Sequence, residues 1–424
     1  MPEFPPMNGA EGRRGGAPRV LLIGYNGANN TGAEARLLVI IDDVRAVFGP
    51  GALVTVPTLN EKNLRRYLEE GPALRIAPIP TIFPFAIRRL VREHDLVMLV
   101  EGSCYMDSWT SALLWEFLWG TRQARAFGKA SVAYAVDAGR LKPSNAKLVK
   151  REASKTDLII TRTHAAARRL REVGVTAPIE VTADTAFTFE PSEEDKDLVR
   201  RERPRAGRGV AGLSVMDFHL WPVVIRPFGR KEHCYKWPYF FSRSSERCRC
   251  SLELAASWAA EADRIVEKHD LSIALIAMEE LDEPLARAAF ARMRHPERAR
   301  IYSSREHHAS RMTALLRSLD LLVASRYHAG VLSLAAQVPQ VALGHDPRLE
   351  SFYGELGIRD EYFVRHPDPE AFRKVAERVD RLLADPRPVR ELLKMGNAEH
   401  VERAGRNRSL LREFARGRGW KVVE

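Results

Sequence analysis

Residues 319–328 read LDLLVASRYH, and the chain continues AGVLSLAAQVPQVALGHDPRLESFY to residue 353. An Asp-Leu pair closes a helical pattern and opens a short aliphatic run, which stops on a cation and an imidazole. The same grammar recurs at Asp95-Leu96 in DLVMLV and at Asp157-Leu158 in DLIIT. Short continuous apolar runs, each fed by an amphipathic helix, mark parallel strands buried on both faces. Further strands are expected at RVLLIG, ASVAYAV, IEVTA, GVAGLSV, LSIALIAM and QVALG. Strands and helices that alternate along most of a chain build doubly wound α/β sheets.

At 424 residues the chain exceeds one ordinary domain. The expected organisation is a disordered tail at 1–18, an N-terminal α/β domain at 19–195, a linker at 196–209 and a C-terminal α/β domain at 210–370. The linker falls in the charged stretch PSEEDKDLVRRERPRAGRG. An aromatic insertion at 218–245 interrupts the second domain, and helices close the chain at 371–424. Apolar residues make up 45% and charged residues 29%, so sizeable cores can form. The net charge of +11 is spread over helical faces without a basic stripe interleaved with aromatics, which argues against nucleic acid. It leaves room for anionic substrates or a peripheral contact with a membrane surface. Four cysteines make no disulfide framework, the first 18 residues lack the apolar core of a signal peptide, and no run is long enough to span a bilayer. A cytoplasmic chain is expected.

Open α/β sheets bind ligands beyond the carboxyl ends of their strands. Here those ends carry the Gly24–Gly32 loop, Glu101, Asp137, Arg162, Asp184, Met216-Asp217, Met278 and Arg326-Tyr327-His328. In extended backbone Arg326 and His328 share a face, and the following helix would turn free N–H groups to the same space. Arginine forks onto carboxylate or phosphate, and imidazole moves protons near neutrality. A solvated arginine and a helix-capping histidine are the plain alternative. The loop GYNGANNTGAEA, residues 24–35, is no dinucleotide fingerprint, because Gly24, Gly27 and Gly32 do not fit G-x-G-x-x-G, and no P-loop, because Ala33-Glu34 stand where Lys and Ser/Thr must be. Its asparagines can hydrogen-bond hydroxyls. His233, Cys234, Cys248 and Cys250 lack zinc-knuckle spacing, so no metal is expected. No cofactor is expected either, and Cys104 has no base beside it.

In order, these strand-end stretches resemble the polysaccharide pyruvyl transferase family, from near residue 20 to near residue 360. The family's G-N-x-G-D-E-A is met by Asn30-Thr31-Gly32-Ala33-Glu34-Ala35, with Ala33 replacing the Asp. Val100-Glu101-Gly102-Ser103 stands for its strand and glycine run, and Ala135-Val136-Asp137-Ala138-Gly139 loosely for Gly-Ile-Gly-Pro. Thr161-Arg162-Thr163, Asp184-Thr185-Ala186-Phe187, Arg326-Tyr327-His328-Ala329, Val338-Pro339 and Asp346-Pro347-Arg348 follow in family order.

The resemblance implies two Rossmann-like domains in a GT-B-like arrangement with the cleft between them. It also implies transfer of a pyruvyl group from phosphoenolpyruvate to two hydroxyls of a glycan or lipid-linked sugar, as a ketal. His328 would be the acid and Arg326 the anion holder. Asn26, Asn29, Asn30, Gly32 and Glu34 would face the acceptor, with Arg162 also at the substrate, and Glu101 or Asp184 would receive a hydroxyl proton. One departure bears on the donor: the family's second arginine, after the first strand of the second domain, is Met216 here. Either Arg226 or Arg230 replaces it, or the donor differs. A nucleotide-sugar glycosyltransferase and a non-catalytic glycan-binding relative stay open as alternatives.

Overall fold

The computed structural model describes residues 16–108, 110–202, 207–219 and 223–423. Residues 1–15 of the expected tail, 203–206 of the expected linker and 220–222 of the insertion lie outside the described residues. The first half forms β1 (Val20–Ile23), β2 (Val54–Thr58), β3 (Leu74–Pro78), β4 (Leu96–Leu99), β5 (Ala130–Val136), β6 (Leu158–Thr161) and β7 (Ile179–Val181). They make one parallel sheet in the order β3-β2-β1-β4-β5-β6-β7. The second half forms β8 (Gly209–Ser214), then the insertion strands β9 (Val223–Ile225), β10 (Cys234–Lys236) and β11 (Tyr239–Phe241). It continues with β12 (Leu271–Ala277), β13 (Ala299–Ser303), β14 (Leu321–Ala324), β15 (Gln340–Gly344) and β16 (Phe363–Arg365). Its main sheet is parallel in the order β13-β12-β8-β14-β15-β16, and the insertion makes a separate antiparallel sheet, β10-β11-β9.

Strand order reverses between β1 and β4 in one sheet and between β8 and β14 in the other. Those reversals open crevices beyond the strand ends. Every residue of β1, β4, β5, β6, β12, β14 and β15 is buried, which is why their sequences run apolar without alternation. Each such aliphatic side chain contributes about 1.5–3 kcal/mol of burial. β2 and β3 had no such signature: VTVPT contains Pro57, and edge strand LRIAP exposes Arg75 and Pro78.

Two features differ from the sequence reading. The first part of the expected linker is helical, within Glu193–Glu202, held by the ion pairs Glu193–Lys196 and Asp197–Arg200 and by burial of Val199. The last helix, Arg387–Gly417, also crosses between the halves. Leu393 and Ala404 join the second sheet's core, whereas Leu411, Phe414 and Ala415 join the first's. Among the described residues no helix is long and apolar enough to cross a membrane.

The halves are clamped at the cleft by the loop after β1. Thr31 N–H donates to the Met278 carbonyl at 2.9 Å, and Glu280 N–H donates to the Asn29 carbonyl at 3.0 Å. Ala309 N–H reaches across to Glu34 Oε2 at 3.0 Å. The insertion adds a second tie: Lys236 Nζ donates to the Leu59 carbonyl at 3.2 Å and Tyr239 Oη to the Thr81 carbonyl at 3.1 Å. The Tyr25 and Tyr235 hydroxyls also meet.

Candidate active site

The β14 end does not keep Arg326 and His328 on one face. Arg326 is extended (φ −111°, ψ 131°), but the helix Tyr327–Ser333 starts at the next residue. His328 therefore lies in a helical first turn, and the two side chains diverge. Arg326 turns into its own half, where Nε and Nη2 fork onto Asp282 at 2.9 and 2.5 Å and Nη1 pairs with Glu279 at 3.0 Å. Asp282 is presented by a turn that it caps, accepting Glu279 N–H at 3.1 Å. Burial pushes the Glu279 carboxyl up to about 7. Arg326 pulls against that shift, while the negative charges of Asp282 and Glu101 add to it.

His328 instead faces the first half. Its Nε2 lies 3.4 Å from Asp184 Oδ2, and its Nδ1 lies over Gly32 in the first turn of the helix Thr31–Phe48. A Cβ on Gly32 would come within 2.0 Å of Nδ1, so only glycine lets the ring seat there. Burial lowers the imidazole's pKa, Asp184 opposes that, and the Arg162 and Arg36 charges lower it further. Nε2 makes no hydrogen bond in this geometry, but a proton there faces the Asp184 carboxylate, and that tautomer leaves the Nδ1 lone pair at the junction of the halves.

Behind His328 lies a buried charge cluster. Asp184 pairs with Arg36 Nε at 3.3 Å and with Arg162 Nη1, while Arg162 Nε donates to Asp137 Oδ2 at 3.0 Å. Arg162 also covers the Tyr327 ring, 4.7 Å from its centroid. Burial alone would raise the Asp184 carboxyl, but Arg36, Arg162 and His328 hold it well below the usual range. Arg36 Nη2 donates to the Ala135 carbonyl at 2.8 Å, and Ala135 adopts φ 51°, a left-handed conformation costly for a residue with a Cβ. Arg36 Nη1 and Arg162 Nη1 close on Gly102, where a Cβ would lie 2.4 and 2.7 Å from them. Arg36 Nη1 and Arg162 Nη2 are buried without a hydrogen-bond partner.

The remaining expected residues are already engaged. Asn26 Nδ2 donates to the Leu22 and Pro57 carbonyls, Asn29 Nδ2 to Glu280 Oε2, and Asn30 Oδ1 caps the helix by accepting Ala33 N–H. Glu101 accepts from Tyr25 N–H and Ser103 Oγ at the β4 end. Arg226 lies over the Phe240 ring and Arg230 is 77% exposed. Burial pushes the Cys104 thiol up, which disfavours a thiolate. All four cysteines are free, and among the described residues no three metal-ligating side chains converge. Arg36, Glu279 and Asp282 were not anticipated. Arg36 had one signal: it stands four residues after Gly32, on the same helix face.

The chain matches the family model for polysaccharide pyruvyl transferase over residues 30–347. It belongs to the polysaccharide pyruvyl transferase family. No curated protein sequence matches it. Among solved structures, the S. aureus MnaA–UDP co-structure is similar at TM-score 0.58 and 10% identity, over 94% of this chain and 96% of that one. A putative UDP-N-acetylglucosamine 2-epimerase from Listeria monocytogenes gives 0.54 and 14%, over 92% and 93%. A glycosyltransferase from Rickettsia africae ESF-5 gives 0.53 and 12%, over 95% and 98%. At such identities the likeness is one of fold: this pyruvyl transferase family member has the GT-B-like pair of parallel sheets. Within the family's ordered stretches, Arg162, Asp184 and His328 converge on one cluster, whereas Arg326 stands in another.

Proposed function

We propose that the chain moves a pyruvyl group from phosphoenolpyruvate to two hydroxyls of a glycan or a lipid-linked sugar, in the crevice between the sheet ends. The reading is carried by one observation: a neutral His328 backed by Asp184, with Nδ1 at the junction of the halves. Nδ1 takes a proton from one sugar hydroxyl and delivers it to the methylene carbon of the enol, so the same imidazole is base and then acid. The sugar oxygen bonds to C2, the second hydroxyl displaces phosphate at that carbon, and its proton leaves with phosphate or water. One phosphoenolpyruvate and one diol thus give one ketal and one phosphate. Arg326 holds a donor anion through Nη1. Glu279, with its pKa raised to about 7, is about half protonated near that pH and yields its place to the donor as it takes up a proton, while Asp282 keeps the fork.

The test is calorimetry of phosphoenolpyruvate with the wild type and Arg326→Ala. Wild-type binding weakened at least about tenfold by the substitution, as expected for losing a charge-assisted hydrogen bond, supports the reading. A second reading has its own support: Met216 stands where the family has an arginine, and Arg326 already faces two carboxylates. Binding of a uridine diphosphate sugar without binding of phosphoenolpyruvate would select that reading, a nucleotide-sugar transferase.

A further inference from the structure

Thirteen large apolar side chains are exposed among the described residues, and five of them flank one seam between the halves: Ile82, Phe85, Ile225, Phe228 and Trp237. Phe85 and Phe228 are each 85% exposed. Hydrogen bonds tie the segments that carry them together. Tyr239 donates to the Thr81 carbonyl, beside Ile82, and pairs in register with Ile225. Trp237 Nε1 donates to the Pro227 carbonyl, beside Phe228, at 3.1 Å. The seam borders the cleft, because Tyr235 of the same insertion touches Tyr25 after β1. The segment that carries three of these side chains is cationic: residues 223–249 hold seven Lys/Arg and two Glu, a net +5 of the chain's +11.

We infer that this seam docks on an anionic membrane surface and presents the cleft to a sugar carried there. Exposed aromatic side chains on a segment rich in arginine and lysine suit the headgroup boundary, where the rings enter the interface and the cations meet acidic lipid. A second copy of the chain fits less well, since a two-fold contact would set the same cationic residues face to face. The inference stands whether or not phosphoenolpyruvate is the donor.

The test is co-sedimentation of the full chain with vesicles of phosphatidylcholine alone and of phosphatidylcholine with 30% phosphatidylserine, at near-physiological salt. Binding only to the acidic vesicles is expected, with a blue shift of tryptophan emission. Phe85→Ser/Phe228→Ser/Trp237→Ser should weaken it at least tenfold, and so should Arg230→Glu/Lys231→Glu. These positions are exposed, and the thermal melt of each variant is read alongside. Indifference of the wild type to acidic vesicles would overturn the inference, as would undiminished binding by both variants. A dimer in light scattering that the aromatic variant abolishes would also overturn it, in favour of a self-contact.

Discussion

The Cα of Gly32 and the imidazole of His328 touch across the two halves: a Cβ at residue 32 would lie 2.0 Å from Nδ1 and 2.2 Å from Cγ. Gly32→Ala must therefore displace the ring or the start of the helix. Overpacking of this kind costs about 1–3 kcal/mol, and a displacement of about 1 Å at a reacting group can cost about 100-fold in rate. Gly32→Ala should lower both the melting temperature and kcat. In Gly32→Ala/His328→Ala the overlap is gone, so the second substitution should restore stability without restoring turnover. Wild-type turnover by Gly32→Ala would remove His328 from the chemistry.

His328 should act from its neutral form, because burial and the two arginines lower its pKa below the ordinary 6.5. Turnover is then full at neutral pH and falls as pH drops through the lowered value. His328→Ala, which removes a side chain only 18% exposed in the wild type, should lose turnover and the acid limb with it. An acid limb centred above 6.5 would contradict a depressed imidazole.

The sheets were legible in the sequence because strands buried on both faces spell themselves as aliphatic runs. The edge strand β3 and proline-bearing β2 were not, since partial exposure and Pro57 break that pattern. Of the candidate site, the strand-end residues Asp137, Arg162, Asp184, Arg326 and His328 could be read, but not Arg36 beside Asp184 or Glu279 beside Arg326. Arg36 comes from a helix middle and Glu279 from a turn in the other half, and only folding brings them in. The shared face for Arg326 and His328 failed for a local reason: the helix begins two residues earlier than strand alternation through His328 assumes. Ala135 stands near a glycine of the family pattern, and its φ of 51° gives that glycine a physical reason.

Asp184 is the shared anion of Arg36, Arg162 and His328. Asp184→Asn leaves buried guanidinium charge uncompensated, which typically costs about 3–5 kcal/mol. Denaturant unfolding should show that loss, with the His328 acid limb shifted as its carboxylate partner disappears. A change below about 0.5 kcal/mol would mean that Asp137 alone neutralises the cluster.

Donor binding should take up a proton through Glu279, whose carboxyl burial pushes up to about 7. Calorimetric enthalpies for phosphoenolpyruvate should then vary with the ionisation heat of the buffer near pH 7.5. Affinity should fall as pH rises through 7, and Glu279→Gln should abolish both effects. Buffer-independent enthalpy in the wild type would show that Glu279 does not yield to the donor.

Glu34 joins the halves through Ala309 N–H, and burial pushes its carboxyl up to about 8, against the pull of Arg66. The folded chain therefore binds more protons than the unfolded chain between the ordinary 4.5 and about 8, so stability from this group is lost as pH rises through that window. The Cys104 thiol, pushed up by burial, acts in the same direction, so Glu34 is isolated by comparing its variant with the wild type. Glu116, also pushed up to about 8 by burial, acts with the same sign. Glu34→Gln keeps an acceptor for Ala309 and cannot ionise. Its melting temperature should fall less between pH 7 and 9 than that of the wild type, by roughly 1–2 °C. An equal fall in the two proteins would place the Glu34 proton elsewhere.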